Sequence, residues 1–94
     1  MTNNIPLSEK VIIQTALERC LQLKLQMPLF EPLNSVQRQL EYLLALLDGT
    51  IIDRSRLSEI VLGAYAAREF ESRDMEFALL LYRVEEIVDE MKKI

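Results

Sequence analysis

Carboxylates are the chemistry-bearing side chains this sequence carries in number, and they are unevenly placed. Eight of the fifteen (Glu69, Glu71, Asp74, Glu76, Glu85, Glu86, Asp89, Glu90) fall between residues 69 and 91, against Arg73 and Arg83, a balance of −6. Residues 1–68 hold seven acids and seven bases, and Lys92 and Lys93 return +2. Converging carboxylates can serve as acid–base pairs or hold a hard cation. Their spacing here argues against both uses. Glu85 and Glu86 are adjacent, so on a helix they point about 100° apart. Glu86 with Glu90, and Glu85 with Asp89, share a face at i, i+4, but a metal cluster needs histidines or further acids arriving from other helices. The expectation is a solvated face, or an acidic patch that steers a basic partner.

The other catalytic residue types are missing or isolated. The chain has no histidine, which removes the usual general base, the commonest metal ligand and every Ser-His or Cys-His arrangement. The single cysteine, Cys20, excludes an intrachain disulfide and a cysteine-built zinc site, and reads as a small buried hydrophobe. Gly49 and Gly63 stand alone and cannot make a phosphate-cradling loop. The sequence therefore predicts no enzyme, no cofactor and no metal. A net charge of −4 disfavours nucleic acid, since phosphate binding requires a basic face. The start of the chain lacks a basic stretch followed by an apolar run, and the most apolar segment, Val11 to Met27, is broken by Gln14, Glu18, Arg19 and Lys24. Neither a targeting segment nor a membrane span is expected, and the lone cysteine suits the cytoplasm.

With 94 residues, half of them apolar, and only two glycines and three prolines, the composition favours a single helical domain over residues 1–94. The pattern predicts an all-α fold, a compact bundle of about four helices, mostly antiparallel. The first helix is expected from near Ser8, its N-cap, to near Gln26, with a core face of Ile12, Ile13, Ala16, Leu17, Cys20, Leu21 and Leu23. Pro28 and Pro32 predict a packed connector over residues 27–33. The second helix then starts at Asn34 or Ser35, with Gln37 able to complete a capping box, and ends at Asp48-Gly49. Its stripe is Val36, Leu40, Leu43, Leu44 and Leu47. The third is expected from Asp53 or Ser55 to about Phe70, facing the core with Leu57, Ile60, Val61, Ala64 and Ala67, and Gly63 is read as a site of close helix approach. Asp74 caps the fourth, which runs to about Lys92 with a stripe of Phe77, Leu80, Leu81, Val84, Ile87, Val88 and Met91.

These helices carry more apolar residues than one stripe requires. Met75, Leu79 and Tyr82 lie opposite the fourth stripe. Leu62, Ala66 and Phe70 lie off the third, and Tyr42 and Leu46 off the second. Two readings stay open: both sides are buried inside the domain, or some of these residues form an exposed patch for a partner or a homodimer. Tyr65 and Tyr82 suit an interface, because each ring has a polar tip.

The most distinctive text runs from Leu62-Gly63-Ala64-Tyr65 through Arg68-Glu69-Phe70-Glu71 to Asp74-Met75-Glu76-Phe77-Ala78. With Gln39 to Leu43 and Asp53 to Leu57 before it, the chain resembles, over roughly residues 36–82, a family of small helical immunity proteins. These protect bacteria from toxins of type VI secretion, notably ones that hydrolyse NAD and NADP. The resemblance implies a stoichiometric inhibitor that blocks its cognate toxin's substrate cleft and does no chemistry itself. A toxin that holds a dinucleotide diphosphate must present basic groups, which an acidic patch would complement. On charge and position, the candidate partner-binding residues are Tyr65, Glu69, Glu71, Arg73, Asp74 and Glu76. The competing expectation is a secretion chaperone or helical adaptor that binds an unfolded or extended segment.

Overall fold

The computed structural model describes residues Ser8 to Lys93. Among these residues there are four α-helices, two short non-α turns and no strand: α1 (Glu9–Gln26), α2 (Glu31–Asp48), a 3₁₀ turn (Ser55–Glu59), α3 (Leu62–Tyr65), a π turn (Ala66–Phe70) and α4 (Met75–Lys92). The expected all-helical bundle is the observed fold.

The caps of α1 and α4 follow directly from residue type. The Ser8 hydroxyl accepts the Val11 N–H at 3.1 Å, and an Asp74 carboxylate oxygen accepts the Phe77 N–H at 3.0 Å. Each satisfies a donor that the first turn cannot pair internally. On α1 the buried residues are Ile12, Ile13, Ala16, Cys20 and Leu23. They fall within an arc of about 100°, and Leu21 lies roughly 80° beyond it. Leu21 is accordingly exposed, where the sequence pattern placed it in the core.

α2 starts earlier than its cap signals suggest. Pro32 sits in the first turn, where a missing N–H leaves no bond unmade and a φ near −65° is already helical. Phe30 is the N-cap and no side chain caps this end. Gln37, free of any capping box, instead accepts from Lys24 Nζ at 2.5 Å and donates to Glu41 at 3.0 Å. Gly49 ends the helix in the left-handed conformation, φ 80°, which a side chain would strain. Tyr42, read as lying off the main face, is buried, with its hydroxyl donating to the Asp53 carbonyl at 2.8 Å.

The third segment departs most from expectation. It is not one helix but a 3₁₀ turn, a break at Ile60–Val61, one α turn and a π turn. The break resets the phase of the pattern. Leu57 and Ile60 are buried as expected, but Val61, Ala64 and Ala67 are exposed. Leu62, Ala66 and Phe70, the supposed second face, enter the core in their place. α4 follows its pattern: Phe77, Leu81, Val84, Ile87, Val88 and Met91 are buried together with Ala78, and Leu80 is half-buried.

Cross-element ties give the order up, down, up, down. Lys10 meets Asp48, and Lys24 meets Gln37, so α1 and α2 are antiparallel. Tyr42 meets Asp53, and Gln39 meets Val61, so the third segment returns along α2. Arg54 donates to the Met91 carbonyl and Gly63 to Glu85, which sets α4 against the third segment. Phe70, fully buried, joins the layers edge-to-face, with ring centroids 6.0 Å from Phe30 and 4.9 Å from Phe77. Such pairs add roughly 0.5–1.5 kcal/mol each beyond area burial.

Candidate partner-binding surface

The π turn delivers the chain to the corner where most candidate residues lie. Its last residue, Phe70, points inward and its carbonyl accepts two amides, Arg73 N–H at 3.0 Å and Asp74 N–H at 2.7 Å. The turn from Glu71 to Asp74 is thereby fixed against the core before α4 begins.

Asp74 is held by both of its oxygens. One caps Phe77, and the other meets Arg19 Nη2 at 2.6 Å, across 55 residues of sequence. Its side chain is only 11% exposed, so this carboxylate positions the corner more than it presents to solvent. Glu76 lies 3.7 Å from the same guanidinium and is open to water. Arg73 sits over the Phe30 ring, 4.5 Å from its centroid, a cation–π contact worth about 0.5–1 kcal/mol at an exposed site. The Tyr82 hydroxyl donates to the Glu71 carboxylate. That bond favours the protonated phenol and pushes its pKa above the ordinary value, with burial adding to the effect. Tyr65 and Glu69, six and two residues before Glu71, are half-buried, and Tyr65 packs against the core.

Glu71, Arg73, Asp74 and Glu76 are therefore one corner, while Tyr65 and Glu69 lie on the segment leading to it. Three organising contacts carry weak sequence signals: the Arg19–Asp74 pair, the Tyr82–Glu71 bond, and Glu85, which accepts the Gly63 N–H at 3.0 Å. Glu85 supplies a cap that the residues ahead of α3 lack. Gly63 does mark a close approach of α3 to α4, but the neighbour is this carboxylate side chain. Of the open question about the second apolar faces, each half is answered differently. Leu62, Ala66, Phe70 and Tyr42 are interior, whereas Met75 and Leu79 are exposed and Tyr82 is half-buried.

Elsewhere the chemistry is quiet. Among the described residues no three acids or cysteines are grouped to hold a metal ion. Burial pushes the Cys20 thiol up to about 11, which suits a core residue and not a nucleophile. A shallow groove between α2 and the 3₁₀ turn is lined by Arg38, Tyr42, Arg56 and Val61. Gln39, also lining it, is tied up between Ser35 and Val61. No described helix is long and apolar enough to cross a membrane.

With this geometry in hand, similarity to known proteins is informative. The sequence model of the Tsi6 family matches residues 9–90. The immune protein Tsi6 of Pseudomonas aeruginosa PAO1 is 37% identical over 54 residues, which is 57% of this chain and 57% of that protein. The match thus spans little more than half of the relative's length. A chain in the solved structure of Tse6 in complex with Tsi6 superposes with a TM-score of 0.87 at 26% identity, over 93% of both chains.

Proposed function

This chain belongs to the Tsi6 family, matched along residues 9–90, and from that premise we propose that it is an immunity protein that binds and inhibits a cognate secreted bacterial toxin. The observation that carries the reading is the likeness, over 93% of the chain, to a structure solved with Tse6 and Tsi6 together. A fold so nearly complete in its correspondence supports the same kind of use, a folded surface presented to a protein partner.

The finer reading follows from chemistry. The toxin hydrolyses NAD or NADP, and this chain occupies its substrate cleft without chemistry of its own, in the cytoplasm. A cleft that holds a diphosphate presents cations, and carboxylates steer toward and pair with cations. Glu71 and Glu76, on the corner after the π turn, supply the charge that faces outward. Tyr65, Glu69 and Arg73 flank it, and Asp74 fixes its shape. A rigid, hydrogen-bonded corner limits the ordering cost of association.

The test is rescue of growth. Cells expressing the cognate toxin domain, sought first in the neighbouring gene, should survive when this chain is co-expressed and die when it is not. Death in both cases contradicts immunity. Affinity for unfolded or extended segments of the toxin, with none for its folded domain, would point to the secretion-chaperone reading.

A further inference from the structure

We propose that the outward face of α4 is the apolar centre of the toxin contact, with Met75 and Leu79 as its anchors. This rests on the immunity reading above and adds a surface that charge alone does not indicate. Met75 and Leu79 are one turn apart, 51% and 54% exposed. With Tyr82 and Glu86 they fall within about 60° of the helix circumference. The face holds what an interface core requires: two apolar side chains, a tyrosine held in place by Glu71, and a margin that is net acidic, with Glu71, Glu76 and Glu86 against Arg83. Central apolar anchors with a polar rim are the common anatomy of protein contacts.

The occupant is set by charge. An acidic margin selects a partner with basic side chains around an apolar depression, as in a cleft that binds phosphate groups, and it disfavours a second copy of this chain, whose own margin would repel it. The fold offers a second exposed apolar pair, Leu25 and Leu29, 86% and 95% exposed. It lies at the end of α1 and on the turn after it, beside Phe30, whose ring carries the Arg73 guanidinium, and its acidic neighbours in sequence are Glu18 and Glu31. More exposed but less well framed, it serves as the internal control.

The experiment measures binding of a catalytically inactive form of the toxin domain identified by the rescue test to three proteins: wild type, Met75→Ser/Leu79→Ser and Leu25→Ser/Leu29→Ser. Circular dichroism melts check that each folds. The proposal expects tight wild-type binding, affinity weakened about thirtyfold or more in the α4 variant, and no more than about a twofold change in the α1 variant. Tight wild-type binding with an unchanged α4 variant, or with the loss confined to the α1 variant, overturns this inference and leaves the immunity reading intact. Absent wild-type binding overturns both. A wild-type homodimer that only the α4 variant abolishes, with toxin affinity unchanged, assigns the face to self-association and overturns the proposal.

Discussion

Arg19 and Asp74 meet at 2.6 Å between the middle of α1 and the first residue before α4, and the same carboxylate caps the helix that carries the proposed contact face. One side chain thus ties α1 to the corner and sets the start of α4. Replacing it separates the two roles. Asp74→Asn keeps an N-cap acceptor and removes the charge pair, so it should cost about 1 kcal/mol or less. Asp74→Ala removes both and leaves Arg19 without its closest partner, so it should cost about 2 kcal/mol. Urea unfolding midpoints of the two variants check the order, and equal losses would mean that the cap contributes nothing.

The Glu85 cap on α3 gives a second pair of opposed outcomes. Glu85→Ala exposes the Gly63 N–H and should destabilise by about 1 kcal/mol. Gly63→Ala should be neutral or stabilise by up to about 1 kcal/mol, because its backbone is helical and the atoms nearest a Cβ belong to the Glu85 side chain, at 3.4 Å and beyond. Thermal melts distinguish the two. A strongly destabilised alanine variant would show that α3 and α4 have no slack at this crossing.

How far these contacts could be foreseen depends on their range in sequence. Ser8 and Asp74 act on amides three residues away and Gly49 through its own left-handed backbone, so their types alone announce the ends of α1, α2 and α4. Arg19 acts on Asp74, and Glu85 on Gly63, across distances that no local pattern encodes. The third segment misled for a different reason. A 100° wheel assumes unbroken α geometry, whereas a 3₁₀ turn has about 3 residues per turn and the break at Ile60–Val61 shifts the phase again. Continuing the wheel from Leu57 and Ile60 selects Ala64 and Ala67, while the chain buries Leu62, Ala66 and Phe70. Pro32 was legible in principle, since proline is at home in a first helical turn, but the cap residues after it gave the stronger local signal. At the candidate corner the charge excess was plain from the sequence, whereas the inward aim of Asp74 and the exposure of Met75 and Leu79 required the packing.

Two ionisable groups predict opposite limbs of the pH profile. Tyr82 is protonated more firmly in the folded state, so its contribution is intact below its ordinary value of 10.0 and is lost as pH rises through the higher folded value. Ultraviolet titration should show the slow-to-ionise phenol disappear in Tyr82→Phe and return toward normal in Glu71→Gln. Asp53 is held below its ordinary value of 3.8 by hydrogen bonds from Ser55. Its contribution is present above that value and is lost as pH falls through the lower folded one. Carbon-detected NMR titration of the carboxylate checks it, with Ser55→Ala, which removes the hydroxyl donor, expected to raise the midpoint toward 3.8.

Cys20 should resist modification. It is fully buried, and a thiol at about 11 leaves about one thiolate in a thousand at pH 8. A disulfide reagent should label it at the rate of chain opening in the native protein and within seconds in denaturant. Rapid labelling of the folded protein would contradict the packing of α1 on α2.

Reversing charge at Glu69, Glu71 and Glu76 together should slow toxin association by about tenfold or more at low salt, with the difference shrinking as salt is added. Stopped-flow association at several ionic strengths measures it. Kinetics identical to wild type at low salt would rule out steering by the acidic corner.

Titration tests inhibition by stoichiometric occupation most directly. The purified cognate toxin domain is assayed for NAD and NADP hydrolysis while this chain is added in steps. Occupation predicts that activity falls in a straight line to near zero at one chain per toxin. Full activity at a large excess of this chain would contradict it.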